Sequence, residues 1–472
     1  MLKNRRIEMA KNLVYDIHER PPFGKLVIFA LQQLLAIMAA TIAVPAMVGN
    51  EMTAAAALFG AGVGTLVYQI FTKFRSPVFL GSSFAFIPSM KATFAAAFAG
   101  AASMSLGYLG LLIGAAFAAI VYVIIAIVVK FVGVGWINKL MPAAVIGPTV
   151  ALIGLSLSGA AVNDVFSDGP KNANGNFIMS GKIWVSLACA IVTLLVVILC
   201  STYGKKMTKL IPFIIGVLSG YALALVLTVI GTSTGNEALQ VIDFSIFEAL
   251  TAEGVGVKTF VAVPDFSFLR AADGIADFKW NYLATIAVAY IPVAFVVFAE
   301  HIADHKNLSS IVDEDLLENP GLHRTLLGDG VGSFAGAFFG GCPNTTYGES
   351  VGCVAITRNA SVATISVTAI LSILVSFVSP FVAFLDSIPG CIMGGVCITL
   401  YGFIAVSGLK MIKNVDLENS ANLFTVSVIL ITGVGGMSMA IGEVVITAIA
   451  CALILGIIVN ILLNKFKKED KQ

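Results

Sequence analysis

Leu80-Gly-Ser-Ser-Phe-Ala-Phe-Ile-Pro88 and Cys342-Pro-Asn-Thr-Thr-Tyr-Gly-Glu-Ser350 interrupt two hydrophobic stretches where a membrane helix has no reason to break. Gly, Pro, Ser and Asn are poor residues for a helix interior. In hydrocarbon every backbone N–H and C=O must find a partner, so an irregular stretch at that depth persists only when buried in protein or lining a cavity. The two breaks occupy corresponding places in the two halves of the chain, and the second carries an acid, Glu349. Paired interruptions of this kind point to a substrate site inside a membrane transporter. The bland reading is a pair of kinks with hydroxyls bonded back to the preceding turn. Their shared register and Glu349 favour the binding reading.

Composition supplies the solvent. Of 472 residues, 58% are hydrophobic and only 12% charged, which would leave a water-soluble fold with far more exposed apolar surface than such folds tolerate. Apolar runs of about 20 residues, the length that spans a bilayer, recur throughout. The formal net charge of +1 implies no strongly acidic or basic partner, and no nucleic acid. All seven cysteines fall in apolar segments and their number is odd, so no disulfide framework is expected. Neither a phosphate-binding loop, a metal-spaced histidine pair nor a nucleophile motif occurs, and the chain is expected to be no enzyme and to need no cofactor.

Hydropathy predicts an all-α integral membrane protein of about fourteen transmembrane segments. Residues 1–25 read as a cytoplasmic lead-in without a removable signal, 26–231 as spans one to seven, 232–281 as an external loop of weak periodicity, 282–464 as spans eight to fourteen, and 465–472 as a cytoplasmic tail. The broken stretches fall in the third and tenth spans. Of 28 Lys and Arg, this arrangement puts twenty-two on the cytoplasmic side and five in the two long external loops, with Lys91 inside a span. That asymmetry favours cytoplasmic termini. Matching positions recur between the halves: Gln32-Gln33 with Glu300-His301, Phe84 with Glu349, and Pro142-x-x-x-x-Gly147 with Pro389-x-x-x-x-Gly394. Seven spans per half is odd, so the second half enters the membrane from the opposite side, which makes a 7+7 inverted repeat.

Glu300 and Glu349 carry the chemistry. A carboxylate at a membrane-helix centre costs about 2.5–3.5 kcal/mol on insertion scales, so such acids mark substrate, ion or proton pathways. The bland alternative for both is a carboxyl protonated throughout and bonded to a neighbouring helix; for Glu300, near one end of the eighth span (Tyr282 to Ile302), snorkelling to the interface is a further one. Asp304 lies one helical turn on, on the same face. Acids crowded around one cavity repel, so the group can take up a proton outside and release it inside. His301 either relays protons or packs beside the site on a backbone carbonyl. Each break is followed by a run that can restart a helix, whose first amides can donate to a carbonyl or anion. Gly328, Gly332, Gly336 and Gly340 give the ninth span a smooth packing face. Lys91 is either a cation in the site or, as the favoured reading, a snorkelling lysine, and Glu443 and Asp386 are expected at the external interface.

At these residues the chain resembles the nucleobase/ascorbate transporter family, in its bacterial uracil permease branch. Pro343-Asn-Thr-Thr-Tyr-Gly-Glu349, continuing through Ser350-Val-Gly352 to Thr357-Arg358, is similar to that family's signature. Ala299-Glu-His-Ile302, Leu80-Gly-Ser-Ser-Phe-Ala-Phe86 and Leu31-Gln-Gln-Leu34 agree. The resemblance implies a core domain from spans 1–4 and 8–11, a gate domain from spans 5–7 and 12–14, and proton-coupled uracil import by movement of core against gate. It also implies that the base is held by Glu300 and Glu349 and by the main-chain amides of Phe84 and Gly348, with Tyr347 lining the pocket and Tyr401 bracing the tenth-span acid. Family members can pair through the gate into a homodimer. Uracil's two ring N–H groups suit carboxylates and its two carbonyls suit helix-start amides. Three positions depart from the pattern: Asp304 stands where uracil permeases can carry histidine, Ser350 replaces a common asparagine, and Gln33 a common histidine. Glu300 is expected to be the main proton-coupling group. A purine carrier for xanthine or urate is the alternative within the family. Further off stand an anion carrier of the same architecture, which two acids argue against, and a passive channel.

Overall fold

The computed structural model describes residues 13–469 apart from 102, 134, 168, 206, 253, 442 and 443. The first twelve residues of the lead-in, the end of the tail, Lys206 and Glu443 therefore lie outside the described residues.

Long apolar runs become helices. They are α1 Phe23–Val48, α2 Ala54–Phe71, α3 Ile87–Ala101, α4 Met104–Val132, α5 Ala143–Ser156, α6 Gly181–Tyr203, α7 Pro212–Thr234, α8 Trp280–Val312, α9 Leu322–Gly340, α10 Gly348–Thr357, α11 Val362–Val375, α12 Gly390–Ile412, α13 Ser420–Val434 and α14 Ala448–Glu469. Polar residues mark where several begin: the hydroxyls of Thr53 and Ser103 accept the N–H groups of Ala56 and Leu106, each at 3.2 Å, satisfying amides that a helix start leaves unpaired. Among the described residues, eight helices are long and apolar enough to cross a membrane, and four shorter apolar ones accompany them. The protein is a multi-pass membrane protein.

Extended backbone forms at both breaks. β1 (Leu80–Ser82) and β2 (Asn344–Thr346) pair antiparallel, with Leu80 opposite Thr346, Gly81 opposite Thr345 and Ser82 opposite Asn344. The ladder continues at each end, where Ser83 N–H donates to Pro343 O at 2.9 Å and Tyr347 N–H to Phe79 O at 3.2 Å. Leu80 N–H also donates to Thr65 Oγ1 at 2.9 Å. The polar backbone at the breaks is thus satisfied inside protein, as a low-dielectric surrounding demands. Each strand leads directly into helix: a 3-10 turn, Phe84–Phe86, runs into α3, and Gly348 opens α10.

The helices gather into two groups. α9 packs along α2 and α4, α11 along α1 and α2, and α8 along α4; separately, α12 packs on α5 and α6, α7 on α6, and α13 on α5 and α14. The glycine row of α9 meets α2 as its spacing predicts. A side chain at Gly332 would strike the Gly64 carbonyl, and one at Gly340 the Ala56 carbonyl. At Gly336 the space is taken by the Asn344 side chain of β2, whose amide donates to Gly60 O at 3.2 Å. The glycines therefore admit both a helix and the strand beside the site.

Two segments fold where hydropathy is silent. Residues 14–19 lie against the first group of helices: Val14 N–H donates to Arg358 O at 2.7 Å, Ala360 N–H to Tyr15 O at 2.9 Å and Val362 N–H to Ile17 O at 3.1 Å. Ile17 is only 1% exposed, in a cluster with Leu80, Leu308 and Val351. This part of the lead-in is an integral strap. The stretch after α7 forms short helices at Ser245–Ala249, Val257–Phe260 and Ser267–Ala272. Arg270 fastens it, donating to Glu51 at 2.8 Å, pairing with Asp265 and lying over the Tyr108 ring.

Candidate substrate site

α8 is longer than its hydropathy suggests, continuing ten residues past Ile302 to Val312. Glu300 is therefore well inside a helix, and its half-buried side chain forms part of a cavity wall. Two chambers meet there. The larger, about 420 Å³, is lined on one side by Glu300, Asp304, Gly348 and Glu349 and on the other by side chains including Phe213, Leu400, Ile404 and Met411. The smaller, about 50 Å³, is bounded by Phe84, Thr345, Tyr347 and the same Glu300, Gly348 and Glu349. The two glutamates, 49 positions apart in sequence, share a wall because β2 delivers the start of α10 to the middle of α8.

Local bonds hold the lining in place. Tyr347 donates its hydroxyl to Ser82 O at 2.7 Å, and its ring covers the space where a side chain at Gly81 would stand. Asp304 accepts from Thr346 Oγ1 at 2.8 Å, tying α8 to β2. Phe84 lies edge-on to Tyr401, ring centroids 5.7 Å apart. A large apolar pocket with a few convergent polar groups is the usual form of a small-molecule site.

Of the residues the sequence singled out, Phe84, Glu300, Tyr347, Gly348 and Glu349 all line the smaller chamber, and Asp304 lines the larger. His301 and Tyr401 line neither. His301 is turned away: its Nδ1 is 2.7 Å from Asp329 Oδ2 and its Nε2 3.0 Å from Thr325 Oγ1, both on α9. The carbonyl-bonded histidine is its neighbour one turn on, His305, whose Nδ1 is 2.9 Å from His301 O and whose Nε2 is 2.7 Å from the Tyr68 hydroxyl. Tyr401 is buried against Phe84.

Asp329 went unnoticed in the sequence. It is 1% exposed and lies within the glycine row of α9. The rule that selected Glu300 and Glu349, an acid inside an apolar span, would have found it. Among the described residues no cluster of His, Cys, Asp and Glu is arranged to hold a metal ion.

Helices long enough to span a bilayer, two extended breaks paired inside the protein and a carboxylate-lined cavity between helix groups define a membrane permease. The chain belongs to the nucleobase/ascorbate transporter family, matching over residues 24–442 the family model Xan_ur_permease, described as a permease family. It is 37% identical to a uracil permease of Bacillus caldolyticus, over 95% of this chain and 94% of that one. With a uracil permease of Escherichia coli K12 it shares 35% identity over 93% and 92% of the two chains. In fold it is similar to the transmembrane domain of a cyanobacterium bicarbonate transporter, with a TM-score of 0.63 at 14% identity, covering 95% of this chain and all of that one.

Proposed function

We propose that this chain imports uracil across the cytoplasmic membrane, coupled to protons, by alternating access. The observation that carries this reading is that Glu300, Glu349 and the Gly348 main chain line both chambers together. Two carboxyl groups beside a helix start complement the alternating N–H and C=O groups of a pyrimidine edge. The names of the relatives at 35–37% identity point to the same substrate.

In this proposal Phe84 and Gly348 offer backbone amides, Glu300 and Glu349 accept the ring N–H groups, and Tyr347 closes the pocket. Glu300 carries the coupling proton with Asp304 beside it. His301 acts from behind the wall, through Asp329. The fourteen helices are spans of a 7+7 inverted repeat. Spans 1–4 and 8–11 form a core that moves against a gate of spans 5–7 and 12–14, both termini facing the cytoplasm. The antiparallel pairing of β1 with β2 and the separate packing of the two helix groups support that division.

The test is accumulation of radiolabelled uracil in proteoliposomes under an imposed pH gradient, with xanthine and sulfate as competitors. Uphill uptake blocked by uracil analogues and by neither competitor is expected. Block by xanthine would assign a purine carrier, block by sulfate an anion carrier, and uptake that stops at equilibrium a passive channel.

A further inference from the structure

The walls of the site differ in kind. The core groups bordering both chambers are Glu300, Gly348 and Glu349, all with hydrogen-bonding capacity; the groups opposite that border both are Val150, Leu400 and Ile404, all aliphatic. Leu400 and Ile404 are four apart on α12 and so share one face, with Val150 beside them on α5. That wall is held firmly. Gly408 of α12 sits against the Gly147 and Ala151 backbone of α5, and Gly154 of α5 against the Tyr401 and Ala405 backbone, with no room for a side chain at either glycine. Glycine contacts of this type let helices approach closely.

A pyrimidine-2,4-dione has one polar arc, N1–H, C2=O, N3–H and C4=O, and one apolar edge, C5–H and C6–H. A polar ring group turned toward the aliphatic wall would lose its water without gaining a partner. Of the ring's edges, only C5–C6 fits there.

On the footing of the uracil reading above, we infer that Val150, Leu400 and Ile404 read the C5–C6 edge of the base and set the size of the substituent accepted at C5. These three side chains are specificity determinants of the permease, and the carboxyl wall is indifferent to C5. One methylene more or less in such a pocket changes selectivity by about ten- to two-hundred-fold.

The test is competition binding to the purified full-length chain, with uracil, 5-fluoro-, 5-methyl- and 5-iodouracil as the series and 1-methyluracil as the polar-arc control. Each affinity is expressed relative to that of uracil for the same variant. Leu400→Ala or Ile404→Ala is expected to improve 5-methyl- and 5-iodouracil at least about tenfold against uracil, leaving 1-methyluracil unmoved. Val150→Leu is expected to shift the series the other way, and keeps the test open where an alanine variant fails to fold. An unchanged 5-substituent ratio in the folded variants, or an equal gain by 1-methyluracil, would overturn the inference while leaving uracil transport in place. Failure of the unaltered chain to bind uracil would instead overturn the functional reading and this inference with it.

Discussion

Gln33 Nε2 donates to Ser350 Oγ across 2.5 Å, and the same oxygen accepts the Phe79 N–H at 2.9 Å. One hydroxyl thus joins α1, α10 and the entry to β1, directly behind the wall that carries Glu349. All of this is buried; Ser350 has no exposed surface. Gln33 and Ser350 are also two of the positions read above as departures from the pattern the chain resembles, and their side chains touch.

Ser350→Ala strands two buried donors, each costing about 1–3 kcal/mol when left unpaired. Thermal unfolding in detergent should fall clearly below the parent. Gln33→His combined with Ser350→Asn should recover more than the separate effects sum to, with a coupling of about 0.5–3 kcal/mol in a double-mutant cycle. Strict additivity would mean that the contact contributes nothing specific.

Glu300→Gln keeps the shape of the side chain but fixes it in an uncharged form. If Glu300 carries the coupling proton, uracil exchange across the membrane should survive while accumulation driven by an acid exterior disappears. Uptake should lose its dependence on the imposed pH gradient. Gradient-driven accumulation by the Gln variant would remove Glu300 from that role and leave Asp304 as the next candidate.

Tyr347→Phe removes one hydrogen bond, to Ser82 O, and should lower stability by about 1 kcal/mol. Gly81→Val should act differently, because its side chain meets the Tyr347 ring and pushes it toward the smaller chamber. Uracil affinity should drop far more than the melting temperature does. Equal losses in both measurements would mean that the ring is structural and has no part in shaping the pocket.

Ile17→Ala hollows out the buried contact of the N-terminal strap and should cost about 2–4 kcal/mol, the usual range for a large apolar side chain cut to alanine in a core. Melting with and without uracil measures it. A variant as stable as the parent would show that residues 14–19 only rest on the surface.

Much of the fold could be read from local sequence because the bilayer leaves the chain few choices. A run of apolar residues in hydrocarbon must close its own hydrogen bonds, so helix positions follow from hydropathy, and residues unfit for a helix mark the breaks. The glycine spacing of α9 likewise declared a packing face. α8 misled at its end: the polar residues after Ile302 read as a boundary, yet the helix continues because Leu308 and Val312 bury against Leu80 and Val351. The strap and the segment around Arg270 carry too little periodicity to be foreseen, since their order comes from distant partners such as Arg358, Glu51 and Tyr108.

The sequence by itself determined that this is a membrane protein, where its apolar runs break and that Glu300 and Glu349 stand in apolar surroundings, because each follows from how a single segment meets lipid. Tertiary structure alone decided that Glu300 and Glu349 share a wall, that His301 turns from it to Asp329, and that Gln33 finds Ser350. Those are pairings across separate helices, fixed by which surfaces fit when the chain closes on itself, and no local stretch of sequence contains them.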